Sequence, residues 1–127
     1  MKRVAILGGG PAGAFAAERL ASAGLSVVLM DEKLAWEKPC GGGITYKAYS
    51  QYPFLRHNDV NKKEVHQTFL AAPNAGRVAM DLDQPLLIYS RFDLNNLLLE
   101  RAVAAGVAVE AKSDLSRVNS STRRLRS

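Results

Sequence analysis

Three features of the sequence predict an α/β fold with a parallel sheet. An apolar run at residues 4–7 meets Gly8-Gly9-Gly10-Pro11-Ala12-Gly13, a helix-forming stretch follows at 12–23, and a second apolar run at 27–30 ends on Asp31. A second helical stretch, opened by Ser90-Arg91-Phe92-Asp93, leads into the short apolar run 107–109. Between the two lies a segment of alternating character, 65–90, with the period of an antiparallel insert.

The first unit is strand, glycine turn, helix and strand in about thirty residues, the context in which a glycine fingerprint carries meaning. Val4-Ala5-Ile6-Leu7 has the length of a strand buried on both faces. Ala12, Phe15, Ala16, Leu20 and Ala23 share one face of the helix, and Gly24 stops it. Gly8 permits a tight turn, Gly10 lets a pyrophosphate approach the backbone, and Gly13 lets the helix pack close to the strand. Pro11 and Ala12 complete the turn at a helix N-terminus, whose amides and partial positive charge suit phosphate. Ala17 extends the small-residue face towards the strand. Asp31 stands where it can accept hydrogen bonds from the ribose of an adenosine, with Glu32 as the alternative acceptor. The competing reading is a glycine turn that binds nothing. Strand, helix and acid in register weigh against it.

The chain has 127 residues, enough for one small domain with a core. A hydrophobic content of 47% and a charged content of 23% are those of an ordinary globular protein. No apolar run reaches the length of a membrane span, and the few apolar residues after Lys2-Arg3 are too short for a secretory signal. Cys40 is the single cysteine, so no internal disulfide is expected and a reducing, cytoplasmic location is. The net charge of +5 resides mostly in 112–127, where Lys112, Arg117, Arg123, Arg124 and Arg126 oppose Asp114 alone. A basic tail of this kind reads as a solvated, disordered terminus, and no nucleic-acid partner is expected.

After Asp31 comes a loop carrying Trp36 and then Lys38-Pro39-Cys40-Gly41-Gly42-Gly43, whose glycines could lie flat against a ligand. Residues 44–51 suit a short helix stopped by Pro53, and 55–63 reads as loop. Strands are expected at 65–72, 77–83 and 86–89, with turn chemistry in Pro73-Asn74-Ala75-Gly76. Ser90 with Asp93 resembles a capping box. Leu94, Leu97, Leu98, Ala102 and Ala105 form the apolar face of the second helix, Gly106 ends it, and 107–109 should lie beside the second strand. The expected organisation is a nucleotide-binding domain at 1–111, with the insert beginning a substrate-facing sheet, and a tail at 112–127.

Three blocks together resemble the geranylgeranyl reductase family of flavoproteins, within the group that includes the aromatic-ring hydroxylases. They are 8–31, with its Gly-Gly-Gly-Pro-Ala-Gly wording, Lys38-Pro39-Cys40-Gly41-Gly42-Gly43, and Ser90-Arg91-Phe92-Asp93 leading into Leu97-Leu98. The resemblance implies a Rossmann-like FAD-binding domain, incomplete at its C-terminus, of an FAD-dependent oxidoreductase that reduces carbon–carbon double bonds of an isoprenoid. NADPH or another reductant would supply electrons, and a lipid-like substrate would bring the protein to the membrane periphery. By the same resemblance, Cys40, Gly41 and Gly42 lie near the flavin and substrate, and Arg91 reaches the cofactor. Members of the family carry a later Gly-Asp motif whose strand pairs beside the first. Without it, the strand at 4–7 should have one open edge, and the isolated chain should not turn over.

Bland readings stand beside these roles. Cys40 is either a catalytic group or a neutral packed thiol, since no histidine lies near it in sequence. Arg91 either reaches the cofactor or pairs with Asp93, and Trp36 either stacks on a ligand ring or packs its own loop. His57 and His66 show no metal-ligand spacing, and no metal is expected. Other function classes remain open: an FAD-dependent monooxygenase or quinone-linked dehydrogenase on the same nucleotide domain, or a non-catalytic nucleotide-binding fragment.

Overall fold

A computed structural model describes residues 2–39 and 41–111. Cys40 and the basic stretch 112–127 lie outside the described residues. In chain order the elements are β1 (Arg3–Leu7), α1 (Pro11–Ser22), β2 (Ser26–Met30), β3 (Gly42–Ile44), α2 (Tyr46–Gln51), α3 (Pro53–Arg56), β4 (Lys62–Ala72), β5 (Gly76–Tyr89), α4 (Arg91–Ala104) and β6 (Ala108–Glu110). They fall into two compact units, residues 1–36 with those from Asn95 onward, and residues 37–94.

The first unit contains the expected βαβ arrangement. Its sheet has the order β1-β2-β6 and is parallel throughout, with Val4 opposite Val27 and Val28 opposite Ala108. Val27, Leu29, Leu98, Leu99, Ala102 and Val107 are buried, together with Ala14 and Ala17 of α1. The Arg101 guanidinium of α4 forks onto the Glu18 carboxylate of α1, with Nε donating at 3.1 Å and Nη2 closing the second arm. That bidentate geometry fixes the relative rotation of the two helices.

Two sequence expectations fail here for physical reasons. Residues of β1 alternate between exposed and half-buried, and Leu7 is 64% exposed, so this strand is not covered on both faces. Among the described residues β1 pairs with β2 alone, which leaves the open edge expected of it. In α1 the buried positions are Ala14 and Ala17, whereas Ala12 and Ala16 are exposed. Alanine surrounds this helix, so apolar spacing does not select a face. Close packing on β2 does, and it selects the small residues that follow Gly13.

The second unit holds an antiparallel sheet of order β3-β5-β4. The glycine stretch after Cys40 is therefore partly strand, not loop: Gly42 pairs with Tyr89 and Gly43 with Ile88. A Cβ at Gly42 would lie 2.2 Å from the Tyr89 carbonyl oxygen, so close strand approach already accounts for that glycine. The expected helix ends at Gln51 as α2, with the extended Tyr52 before Pro53, and Pro53 also opens α3, at the first helical position where its missing N–H costs nothing. The two strands expected at 77–83 and 86–89 are one long strand, β5. Its pairing with β4 shifts register between Val65 and Gln67, opposite the segment that contains Pro85, which has no N–H for the ladder. Leu55, Leu87 and Tyr89 are buried, and the Tyr89 hydroxyl donates to the Leu55 carbonyl at 2.9 Å.

Candidate dinucleotide-binding site

The glycine turn leaves β1 at Gly8, whose φ of 104° is the left-handed conformation that favours glycine. Its amide still donates to the Met30 carbonyl of β2 at 2.8 Å, so the turn begins while anchored to the sheet. Gly13 has to be glycine. A Cβ there would lie 1.9 Å from the Gly8 carbonyl oxygen, because the first turn of α1 folds back onto the loop. At Gly10 the situation is the reverse: apart from its chain neighbours, no atom of the described residues lies within 4 Å of the position a Cβ would take.

Gly10 is the N-cap of α1 and Pro11 follows it. Among the described residues no side chain caps this helix terminus, and no acid occupies its first turn. Helix N-termini without a side-chain cap present orphan amides and a partial positive charge. The open approach at Gly10 and that uncapped terminus suit a phosphate group. The residues present therefore fit the pyrophosphate of a dinucleotide.

Asp31 follows β2 directly, and both of its carboxylate oxygens face backbone. Oδ2 accepts from the Gly9 amide at 2.6 Å, and Oδ1 accepts from the Lys33 amide at 2.9 Å. A carboxylate has about four lone-pair directions, so these bonds leave acceptor capacity for ribose hydroxyls. Glu32, the alternative acceptor, is exposed. Lys33 Nζ sits 3.9 Å over the Trp36 ring, so one partner of that ring is its own loop.

Sequence reasoning passed over two residues of this unit. Gly9 is buried, and a Cβ there would meet Leu34 at 2.9 Å and Leu29 at 3.1 Å. Asn95 is 6% exposed, and its Nδ2 donates to the Gly9 carbonyl at 2.9 Å. The available signal was an asparagine on the face shared by Leu98, Leu99 and Ala102. The leucines on either side draw it into a plain reading as core.

In the second unit, Gly41 is exposed, Gly42 is buried in β3 and Arg91 is half-buried at the start of α4. Ser90 caps that helix by accepting from the Asp93 amide at 3.2 Å, but Asp93 does not complete the box. Instead Glu37, from a distant part of the chain, covers the start of the helix. Its carboxylate accepts from the Ser90 hydroxyl at 2.6 Å and from the amides of Arg91 and Phe92 at 3.0 and 3.3 Å. The Ser90 hydroxyl, followed by those two amides, holds the Glu37 carboxyl below its ordinary value. Arg91 Nε is buried without a hydrogen-bond partner among the described residues, so a pairing with Asp93 does not account for it.

His66 Nε2 lies 3.5 Å from Glu64 Oε2 on an exposed strand, and among the described residues no cluster of three or more His, Cys, Asp or Glu could hold a metal ion. Among the same residues no helix is long and apolar enough to cross a membrane.

Comparison with known proteins settles the family. A model described as FAD binding domain matches residues 1–125. The chain belongs to the FAD-binding domain family. A chloroplastic geranylgeranyl diphosphate reductase of Nicotiana tabacum is 34% identical over 113 residues, covering 84% of this chain and 24% of that protein. Among solved structures, a geranylgeranyl bacteriochlorophyll reductase-like protein of Thermoplasma acidophilum superposes with a TM-score of 0.66 at 20% identity, over 86% of this chain and 30% of the other. A p-nitrophenol 4-monooxygenase of Pseudomonas putida also reaches 0.66, at 18% identity, over 87% of this chain and 33% of its own. These structural likenesses show the fold. The chain spans about a quarter of the length of the curated relatives it matches.

Proposed function

We propose that this chain is the FAD-binding part of a flavin-dependent oxidoreductase that reduces carbon–carbon double bonds of a geranylgeranyl-type isoprenoid. The observation that carries the FAD reading is the backbone at Gly10, open to approach and leading into an uncapped helix N-terminus. The isoprenoid reading draws on relatives named geranylgeranyl diphosphate reductase at 34% and 36% identity. FAD would supply the redox chemistry, and the residues of this chain would bind and orient it.

In this reading Gly8, Gly10, Pro11, Ala12 and Gly13 form the pyrophosphate cradle, and Asp31 receives the adenosine ribose, with Glu32 as its alternate. Arg91 brings a guanidinium whose Nε has no hydrogen-bond partner among the described residues, suited to an anionic group of the cofactor. Gly41, Gly42 and Cys40 are assigned to the flavin side, with Cys40 one candidate proton source. NADPH is proposed as the electron donor, and contact with a membrane surface follows from a lipid-like substrate.

The likeness to a p-nitrophenol 4-monooxygenase supports a second reading, a monooxygenase built on the same domain. Titrating the FAD-loaded chain with geranylgeranyl diphosphate and with p-nitrophenol, while following flavin absorbance, separates the two. A saturable change with the isoprenoid alone is expected. A change with the phenol alone would favour the monooxygenase, and no change with either would leave a nucleotide-binding module.

A further inference from the structure

A buried contact of the glycine turn comes from α4, from a residue outside the glycine fingerprint. Asn95 is 6% exposed and sits among Leu94, Leu98, Leu99 and Ala102, all buried. Its Nδ2 donates to the Gly9 carbonyl at 2.9 Å across 86 residues of sequence. The carbonyl can only accept, so the amide orientation of Asn95 is fixed by its partner. On the other side of the same residue, Asp31 Oδ2 holds the Gly9 amide at 2.6 Å. Both backbone groups of Gly9 are thus tied to side chains.

The consequence follows from peptide geometry. The Gly9 carbonyl and the Gly10 N–H belong to one planar trans unit, in which oxygen and hydrogen point in opposite directions. Fixing the oxygen against Asn95 fixes the direction of the Gly10 N–H. That amide belongs to the residue whose approach is open and which caps α1. We infer that Asn95 is a positioning residue for the pyrophosphate cradle, acting through the Gly9–Gly10 peptide. The inference rests on the dinucleotide reading of the glycine turn.

A buried asparagine could instead serve stability alone, and the test is built to tell the two apart. Asn95→Leu keeps the number and branching of the side-chain heavy atoms and removes the donor. The expected result is a loss of affinity of roughly tenfold or more for FAD and ADP, the scale set by unpairing one buried carbonyl, with adenosine affinity within about twofold of wild type. An equal loss for ADP and adenosine, or unchanged FAD affinity, would overturn the inference. If Asn95→Leu does not fold, Asn95→Ala, which also lacks a side-chain donor, provides the comparison. The ligand-free proteins supply an independent readout, the NMR shift and exchange rate of the Gly10 amide. Those change on substitution if the peptide is held by Asn95, and unchanged values refute the clamp. Failure of wild type to bind FAD would instead count against the proposed function, and the Gly10 signal would still decide the clamp.

Discussion

Glu37 and Ser90 stand 53 residues apart in sequence, yet the Ser90 hydroxyl donates to Glu37 Oε2 at 2.6 Å. The same carboxylate receives the amides of Arg91 and Phe92, so the first turn of α4 is capped from the loop that precedes Cys40. An acid at a helix N-terminus satisfies donors that would otherwise be orphaned and complements the helix dipole. Arg91 is thereby held at the start of the helix by its own main chain, whatever its side chain binds.

The pH dependence of that contact has a definite sign. Hydrogen bonds from Ser90, Arg91 and Phe92 lower the Glu37 carboxyl from its ordinary 4.5. A depressed carboxylate stabilises the folded state above its unfolded value, and the contribution disappears as pH falls through the folded value. Glu37→Gln should therefore be less stable than wild type near neutral pH, and the difference should shrink on acidification below 4.5. Denaturant unfolding of both proteins across that range measures it. A difference that persists undiminished in acid would show that the charge is not what matters.

Asp31 carries two duties, and substitution separates them. Asp31→Ala should weaken adenosine-containing ligands by about 1.5–3 kcal/mol, the worth of a hydrogen bond to a charged group. FMN, which lacks adenosine, should bind as before. The variant also frees the Gly9 and Lys33 amides, so amide exchange at Gly9 should speed up even without ligand. Calorimetric titration and hydrogen exchange check the two halves. If Glu32→Ala gives the binding loss instead, the ribose acceptor is the neighbouring residue.

Much of the nucleotide-binding unit was legible because its rules are local. Gly8 needs a left-handed backbone and Gly13 must clear the Gly8 carbonyl, and glycine spacing around a short apolar run conveys both. Residues 107–109 announced a third parallel strand, observed as β6 beside β2. What remained hidden is long-range or isotropic. Asn95 and Glu37 act across 86 and 53 residues, and no local pattern marks either partner. α1 offers alanine on every side, so its buried face is decided by the strand it meets. Gly42 and Gly43 read as a flexible loop because a short strand without side chains has no alternating pattern. Pro85 divided β5 into two apparent strands, although only the pairing is interrupted there.

Gly10→Val tests whether the backbone at Gly10 receives the pyrophosphate of FAD. Gly10 has φ of −68° and ψ of 178°, an extended conformation that valine adopts, and apart from its chain neighbours no atom of the described residues lies within 4 Å of its Cβ position. The substitution should therefore leave the ligand-free fold intact, with circular dichroism and melting close to wild type, while it fills the path of the phosphates. Titration of wild type and variant with FAD, ADP-ribose and NAD should rank FAD first in wild type and show losses of orders of magnitude in the variant. Equal FAD affinity in the two proteins would contradict the account.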